Sequence, residues 1–337
     1  MKTMPFMALR RKFCENIVQE FVLHRCYSSK VDLKKLRPMI LKRIQNRANN
    51  CPIKGLIPVA QQVFEARAML IHGVSTLLKA FPVVSCKFCP EVYVGEKGHL
   101  IRSCGGYKRG PKNQVHEWIR GGLNDVLVSV EAFHRHHMFE KVNEHDERLN
   151  FERVPAVVEL CWQAGANTND ENLSSSTWNS VGGGGGGGGG GSGRDEPLSG
   201  NEMRLLATET LRAWETVRTG VQKLLMVYPT KICKYCSDVH VGPSVHQARP
   251  CGVFKCESWR GSHFWEKADV DDLVPLKIVW HRRPQDPPVL VDEGRDYYGQ
   301  SPAVLALCTQ AGAIAPPKYH CMMKVQGLPP PQSHLKL

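Results

Sequence analysis

The sequence repeats itself. Displaced by 147 positions, Cys86, Cys89, Gly95, His99 and Cys104 fall on Cys233, Cys236, Gly242, His246 and Cys251 without a gap. The same offset pairs His116 with His263, Trp118 with Trp265, Asp125 with Asp272 and His134 with His281, and it carries the stretch 155–166 onto 302–313. Upstream, Gly73, Leu77, Leu78 and Pro82 match Gly220, Leu224, Leu225 and Pro229. A duplicated unit must bury its apolar face within a copy or against the other copy, so the repeat constrains the fold before any residue is read individually.

Each copy opens on apolar residues at helical spacing, Val63 to Phe81 and Met203 to Tyr228, stopped by Pro82 and Pro229. A Cys-rich segment follows. Then comes a β-like run, Asp125 to Val130 in one copy and Asp272 to Trp280 in the other. Each copy closes on a helix entered at proline and left at glycine, Pro155 to Gly165 and Pro302 to Gly312. The expected class is α+β: a tandem duplication of a small zinc-stabilised Cys/His module with flanking helices. The expected organisation is a presequence 1–27, a basic arm 28–62, a first module 63–166, a Gly-rich linker 167–200, a second module 201–313 and a Pro-rich tail 314–337. Ten consecutive glycines from Gly182 to Gly191 mark the linker as a flexible tether of roughly 30 Å mean reach. The tail after Ala315 is expected to be disordered.

Cys86-x2-Cys89, His99 and Cys104 supply three soft thiolates and one imidazole, a set suited to tetrahedral zinc, and Cys233, Cys236, His246 and Cys251 repeat it. Four protein donors leave no open coordination position. The two expected zinc ions are therefore structural, and no catalytic residue is assigned. His116 and His263 are the alternative fourth donors, reached by a longer excursion of the chain. A redox CxxC lacks its βαβ context here. Thirteen cysteines, an odd number, disfavour a disulfide framework. Trp118 and Trp265 read either as base-stacking platforms or as core beside the metal. Cys161 and Cys308 read as small core residues.

The formal charge is +12, but all except +2 of it lies before residue 61. A basic total is thus no argument for nucleic acid in the modules themselves; only local clusters matter, Lys108, Arg109 and Lys112 in one copy and His281, Arg282 and Arg283 in the other. No run of about 18 apolar residues is present, so no membrane partner is expected. The opening segment interleaves Lys2, Arg10, Arg11, Lys12 and Arg25 with apolar residues and has no serine before Ser28. It reads as a mitochondrial presequence cut near Ser28, with the chloroplast as the alternative.

The run Cys-x2-Cys, Val239-His240-Val241-Gly242, His246, Cys251-Gly252 and the closing 302–313 segment resembles the APO (accumulation of photosystem one) proteins of plants, whose hallmark is such a tandem pair. The resemblance implies an organellar RNA-binding protein, associated with intron splicing, that acts on single-stranded or intron RNA beside other RNA-processing proteins. On that reading Lys108, Arg109, Lys112, Arg282, Arg283, Trp118 and Trp265 are the candidate RNA contacts, with the arm from Lys30 to Lys54. The competing readings are a metal-dependent nuclease using His116, Asp125 and His134, and an assembly scaffold without RNA binding.

Overall fold

The computed structural model describes residues 37–39, 42, 43, 46, 50–106, 112–140, 144–167, 198–249, 251 and 261–328. The expected presequence, most of the expected linker, Lys108, Arg109 and the last nine residues lie outside them. The described residues from Cys51 onward form one compact unit containing both copies.

In the first copy the order is α1 (Ile57–Ala80), β1 (Val83–Cys86), β2 (Val92–Val94), β3 (Trp118–Arg120), α2 (Leu123–Val126), β4 (Glu131–Phe133), β5 (Arg153–Pro155) and α3 (Ala156–Gln163). The second copy follows the same plan with α4 (Gly200–Leu225), β6 (Thr230–Cys233), β7 (Val239–Val241), β8 (Trp265–Lys267), α5 (Val270–Leu273), β9 (Ile278–His281), β10 (Gly299–Pro302) and α6 (Ala303–Gln310), and adds α7 (His320–Met323).

The local reasons are legible. Ser199 caps α4, its hydroxyl accepting from the Glu202 N–H while the Glu202 carboxylate accepts from the Ser199 N–H, a reciprocal capping box. Helices α3 and α6 end at Gly165 (φ 89°) and Gly312 (φ 93°), where the left-handed backbone lets Ala166 and Ala313 N–H return to the carbonyls of Cys161 and Cys308. The expected strand at 125–130 is corrected. Asp125 accepts from the Gly122 N–H and Asp272 from the Asp269 N–H, so each aspartate closes one helical turn, and the strands start only at Glu131 and Ile278.

Two findings replace the picture of tethered modules. First, α1 and α4 pack antiparallel, with Gly73 against Thr210 and, in the equivalent crossing, Gly220 against Val63. The glycines permit close helix approach, and one hydrophobic core, including Val63, Leu77, Leu160, Val221, Leu224 and Leu307, runs through both copies. Second, the hairpins are exchanged. Strand β4 pairs parallel with β7 of the second copy, giving the five-stranded order β5-β4-β7-β6-β8, while β9 of the second copy packs beside β2 of the first. Within each copy the Cys-bearing strand pairs antiparallel with both of its neighbours, β1 with β2 and β3, and β6 with β7 and β8. The tail is corrected as well. Met323 on α7 is buried and its backbone carbonyl lies against Gly299, so the chain packs at least to Met323.

Candidate metal centres

Strand β1 ends on Cys86 and the chain turns through Cys89 into β2, while Cys104 approaches from the following loop. The β1–β3 ladder pairs Cys86 with Trp118, and the Lys87 N–H bonds the Glu117 carbonyl. That register delivers His116 beside Cys89. The Cys86 and Cys104 sulfurs are 3.8 Å apart, and Cys89 Sγ lies 3.5 Å from His116 Nδ1. In the second copy Cys233 and Cys251 are 3.6 Å apart and Cys236 lies 3.3 Å from His263 Nδ1. Within each of the two Cys3His sets every donor atom lies within 4.8 Å of the others.

These separations fit a tetrahedral dication. With metal–sulfur bonds of about 2.3 Å, the edge between two sulfurs is roughly 3.8 Å. They are far longer than the roughly 2.05 Å of a disulfide. Burial works against ionising Cys86, but the N–H groups of Phe88 and Cys89 together with the Cys89 and Cys104 sulfurs outweigh it and hold its thiol below the ordinary value. Burial and the adjacent sulfurs push Cys89 up to about 12. Cys233 and Cys236 behave in the same opposed way. Three thiolates in so small a volume repel one another, and a divalent cation is the group that relieves them.

Spacing favoured His99 and His246 as fourth donors; the fold brings His116 and His263 there instead. His99 is fully buried with both nitrogens engaged: Nδ1 accepts from the Ile101 N–H at 3.2 Å and Nε2 lies 2.9 Å from Glu91 Oε1. It bonds a carboxylate. Glu91 reaches His116 Nε2 at 3.4 Å, so the far side of the donor imidazole faces an acid, the arrangement that orients metal-bound histidines. Burial opposes ionisation of Glu91, but the His99 bond and the neighbouring His116 and Ser103 outweigh it and lower its pKa. Asp238 is the equivalent acid, 3.7 Å from His246 and 3.9 Å from His263. Burial depresses His246 to about 3 and His263 to about 4, keeping both imidazoles neutral, as ligation requires of His263.

The tryptophans wall these centres. Trp118 donates from Nε1 to the His99 carbonyl and packs 4.7 Å from the His116 ring; Trp265 stacks at 4.8 Å on His263. Arg283 is internal rather than available to a phosphate. Its guanidinium is buried, donates to both Asp286 oxygens and to the Lys324 carbonyl, and thereby pins the tail. Lys112 and Arg282 are exposed. The nuclease triad does not converge: Asp125 caps α2, and His134 bonds the buried Glu159 at 2.8 Å. Cys161 and Cys308 are fully buried, as expected of core residues. The outer acids Glu91 and Asp238 escaped sequence reading, although each stands two residues after the second cysteine of its CxxC at the repeat offset.

Residues 22–172 and 197–328 match the APO RNA-binding family. The chain is 36% identical over 305 residues to APO protein 2, chloroplastic, of Arabidopsis thaliana, covering 83% of this chain and 69% of that protein. It is 35% identical to APO protein 1, chloroplastic (88% and 74% covered), and 32% identical to APO protein 3, mitochondrial (86% and 77% covered), of the same plant. No solved structure matches. With both copies matched, each around its own Cys3His set, the chain belongs to the APO RNA-binding family.

Proposed function

We propose that this protein binds RNA in a plant organelle, with one structural zinc ion in each Cys3His centre and no catalysis of its own. The observation that carries the reading is the match of both copies to an RNA-binding family, each match enclosing one closed four-donor set. Cys86, Cys89, Cys104 and His116 hold one ion and Cys233, Cys236, Cys251 and His263 the other. A bound zinc ion supplies charge neutralisation and folding free energy to lobes whose strands are only three or four residues long. Because the copies share a core, both lobes meet RNA at fixed separation. Phosphate contact falls to exposed cations such as Lys112 and Arg282, to Lys108 and Arg109, and to the basic arm; the base-stacking role read for Trp118 and Trp265 gives way to packing around the metal.

The basic, serine-poor N-terminus favours the mitochondrion over the chloroplast, and intron splicing is the process served. A nuclease is not supported, since His116, Asp125 and His134 have separate structural partners. The test is zinc content of the full chain with its affinity for single-stranded RNA across a salt series. About two zinc per chain and salt-sensitive binding are expected, with Lys112→Glu/Arg282→Glu weakening binding and flattening the salt slope by roughly one unit per lost phosphate contact. Zinc-loaded chain without RNA affinity overturns the reading in favour of a scaffold, whose partners would survive RNase.

A further inference from the structure

The bonds outside each donor set cross between the copies. At the first centre, Glu91 Oε1 accepts at 2.8 Å from the indole N–H of Trp280, which belongs to β9 of the second copy. Lys277 of the second copy also donates to the Pro90 carbonyl, beside the same acid. At the second centre the acid is Asp238, and its Oδ1 accepts at 2.9 Å from Arg153 on β5 of the first copy. Phe133, the first-copy counterpart of Trp280, lies 4.9 Å from His246, with the Arg153 guanidinium over its ring.

The closures differ in quality. At the first centre Ser103 Oγ lies 2.9 Å from Glu91 Oε2 and 3.0 Å from His116 Nε2. If Nδ1 of His116 presents its lone pair to the metal, Nε2 carries the proton and donates it to that hydroxyl. In sequence, the repeat offset aligns Pro250, which has no hydroxyl, with Ser103, and Asp238, one methylene shorter, with Glu91. Asp238 Oδ2 then stays beyond hydrogen-bonding distance of His246 and His263, and among the described residues His263 Nε2 and both His246 nitrogens are buried without a partner.

We infer that the two centres are crossed and unequal: Trp280 and Ser103 are positioning residues for the metal of the first copy, Arg153 is one for the metal of the second, and the second centre releases its metal first. This rests on the zinc reading above. Outer partners that fix a histidine's tautomer and orientation change metal affinity by about 10- to 100-fold. A donor imidazole without an outer partner among the described residues is the weaker of the two.

The test is site-resolved alkylation of the full zinc-loaded chain under excess chelator, read by mass spectrometry on separate cysteine peptides. In the unmodified chain Cys233, Cys236 and Cys251 should be alkylated on the order of tenfold faster than Cys86, Cys89 and Cys104. Trp280→Phe should speed only the first-copy cysteines, by a similar factor, and Arg153→Gln only the second-copy set. Ser103→Ala, a smaller change, should also speed the first-copy set and serves if Trp280→Phe does not fold. Equal release in the unmodified chain overturns the ranking, and a Trp280→Phe effect on the cysteines of its own copy overturns the crossing. Alkylation of all six without chelator removes the zinc reading itself and this inference with it.

Discussion

His134 and His281 occupy the same position in the two copies and are driven in opposite directions. His134 is held above the ordinary histidine value, first by its bond to Glu159. His281 is pushed below it by burial, which outweighs the pull of Asp286. The offset places Ala306 where the first copy has Glu159. Glu159 is fully buried and also accepts from the Arg135 N–H and the Gln163 amide, so its charge is anchored as well as paired. Duplication kept the backbone plan in register, while one buried side chain reversed the chemistry at equivalent points. The same divergence distinguishes the two Cys3His sets, where Glu91 and Ser103 of the first copy correspond in sequence to Asp238 and Pro250 of the second.

The comparison breaks most visibly at the fourth donor. His116→Ala and His263→Ala should each reduce zinc from about two to about one per chain, whereas His99→Ala and His246→Ala should leave near two with faster exchange. Metal analysis after gel filtration decides it; loss of an ion in His99→Ala with retention in His116→Ala would restore the donor set favoured by spacing. The helix crossing should respond next. A methyl added at Gly73 would lie 2.0 Å from Thr210 Oγ1 and 3.0 Å from its Cβ, whereas at Gly220 it would lie 2.1 Å from Val63 Cγ2 and 3.6 Å from that Cβ. At Gly73 the crowding reaches the Thr210 Cβ, which is fixed to its helix backbone, so the helices must part, whereas at Gly220 it falls on one Val63 methyl. Gly73→Ala should therefore cost about 2–3 kcal/mol and Gly220→Ala about 1 kcal/mol in urea unfolding. Equal costs would show that the two crossings are interchangeable.

The smallest effect is in pH. A histidine with a raised pKa contributes stability that is fully present below about pH 6.5 and is lost as pH rises through its folded value. His134 is of this kind. His281, with its pKa lowered, contributes in the opposite sense: its share is present above about pH 6.5 and is lost as pH falls toward its folded value. Glu159→Gln should cost more stability at pH 5.5 than at pH 7.5, in melts of the metal-loaded chain. A cost independent of pH would mean that Glu159 acts through its bonds to Arg135 and Gln163 alone.

The duplication, the six cysteines and the helix ends at Pro82, Pro229, Gly165 and Gly312 were readable because each depends on residues close in the chain or on an ungapped offset. The strand expected at 125–130 failed for a local reason, since a capping aspartate competes with alternation and takes one helical turn. What the sequence by itself determined is which thiolates gather and that the gathering happens twice. Which histidine completes each set was decided by the Cys86–Trp118 and Cys233–Trp265 registers, because a ladder, and not loop length, brings residues 116 and 263 alongside Cys89 and Cys236. The burial of Arg283, the exchanged hairpins and the core shared by both copies are likewise tertiary. Arg283 is buried because Asp286 and the Lys324 carbonyl of the tail receive its guanidinium, whereas the hairpin exchange and the shared core arise from apolar faces that each copy leaves open and the other copy covers.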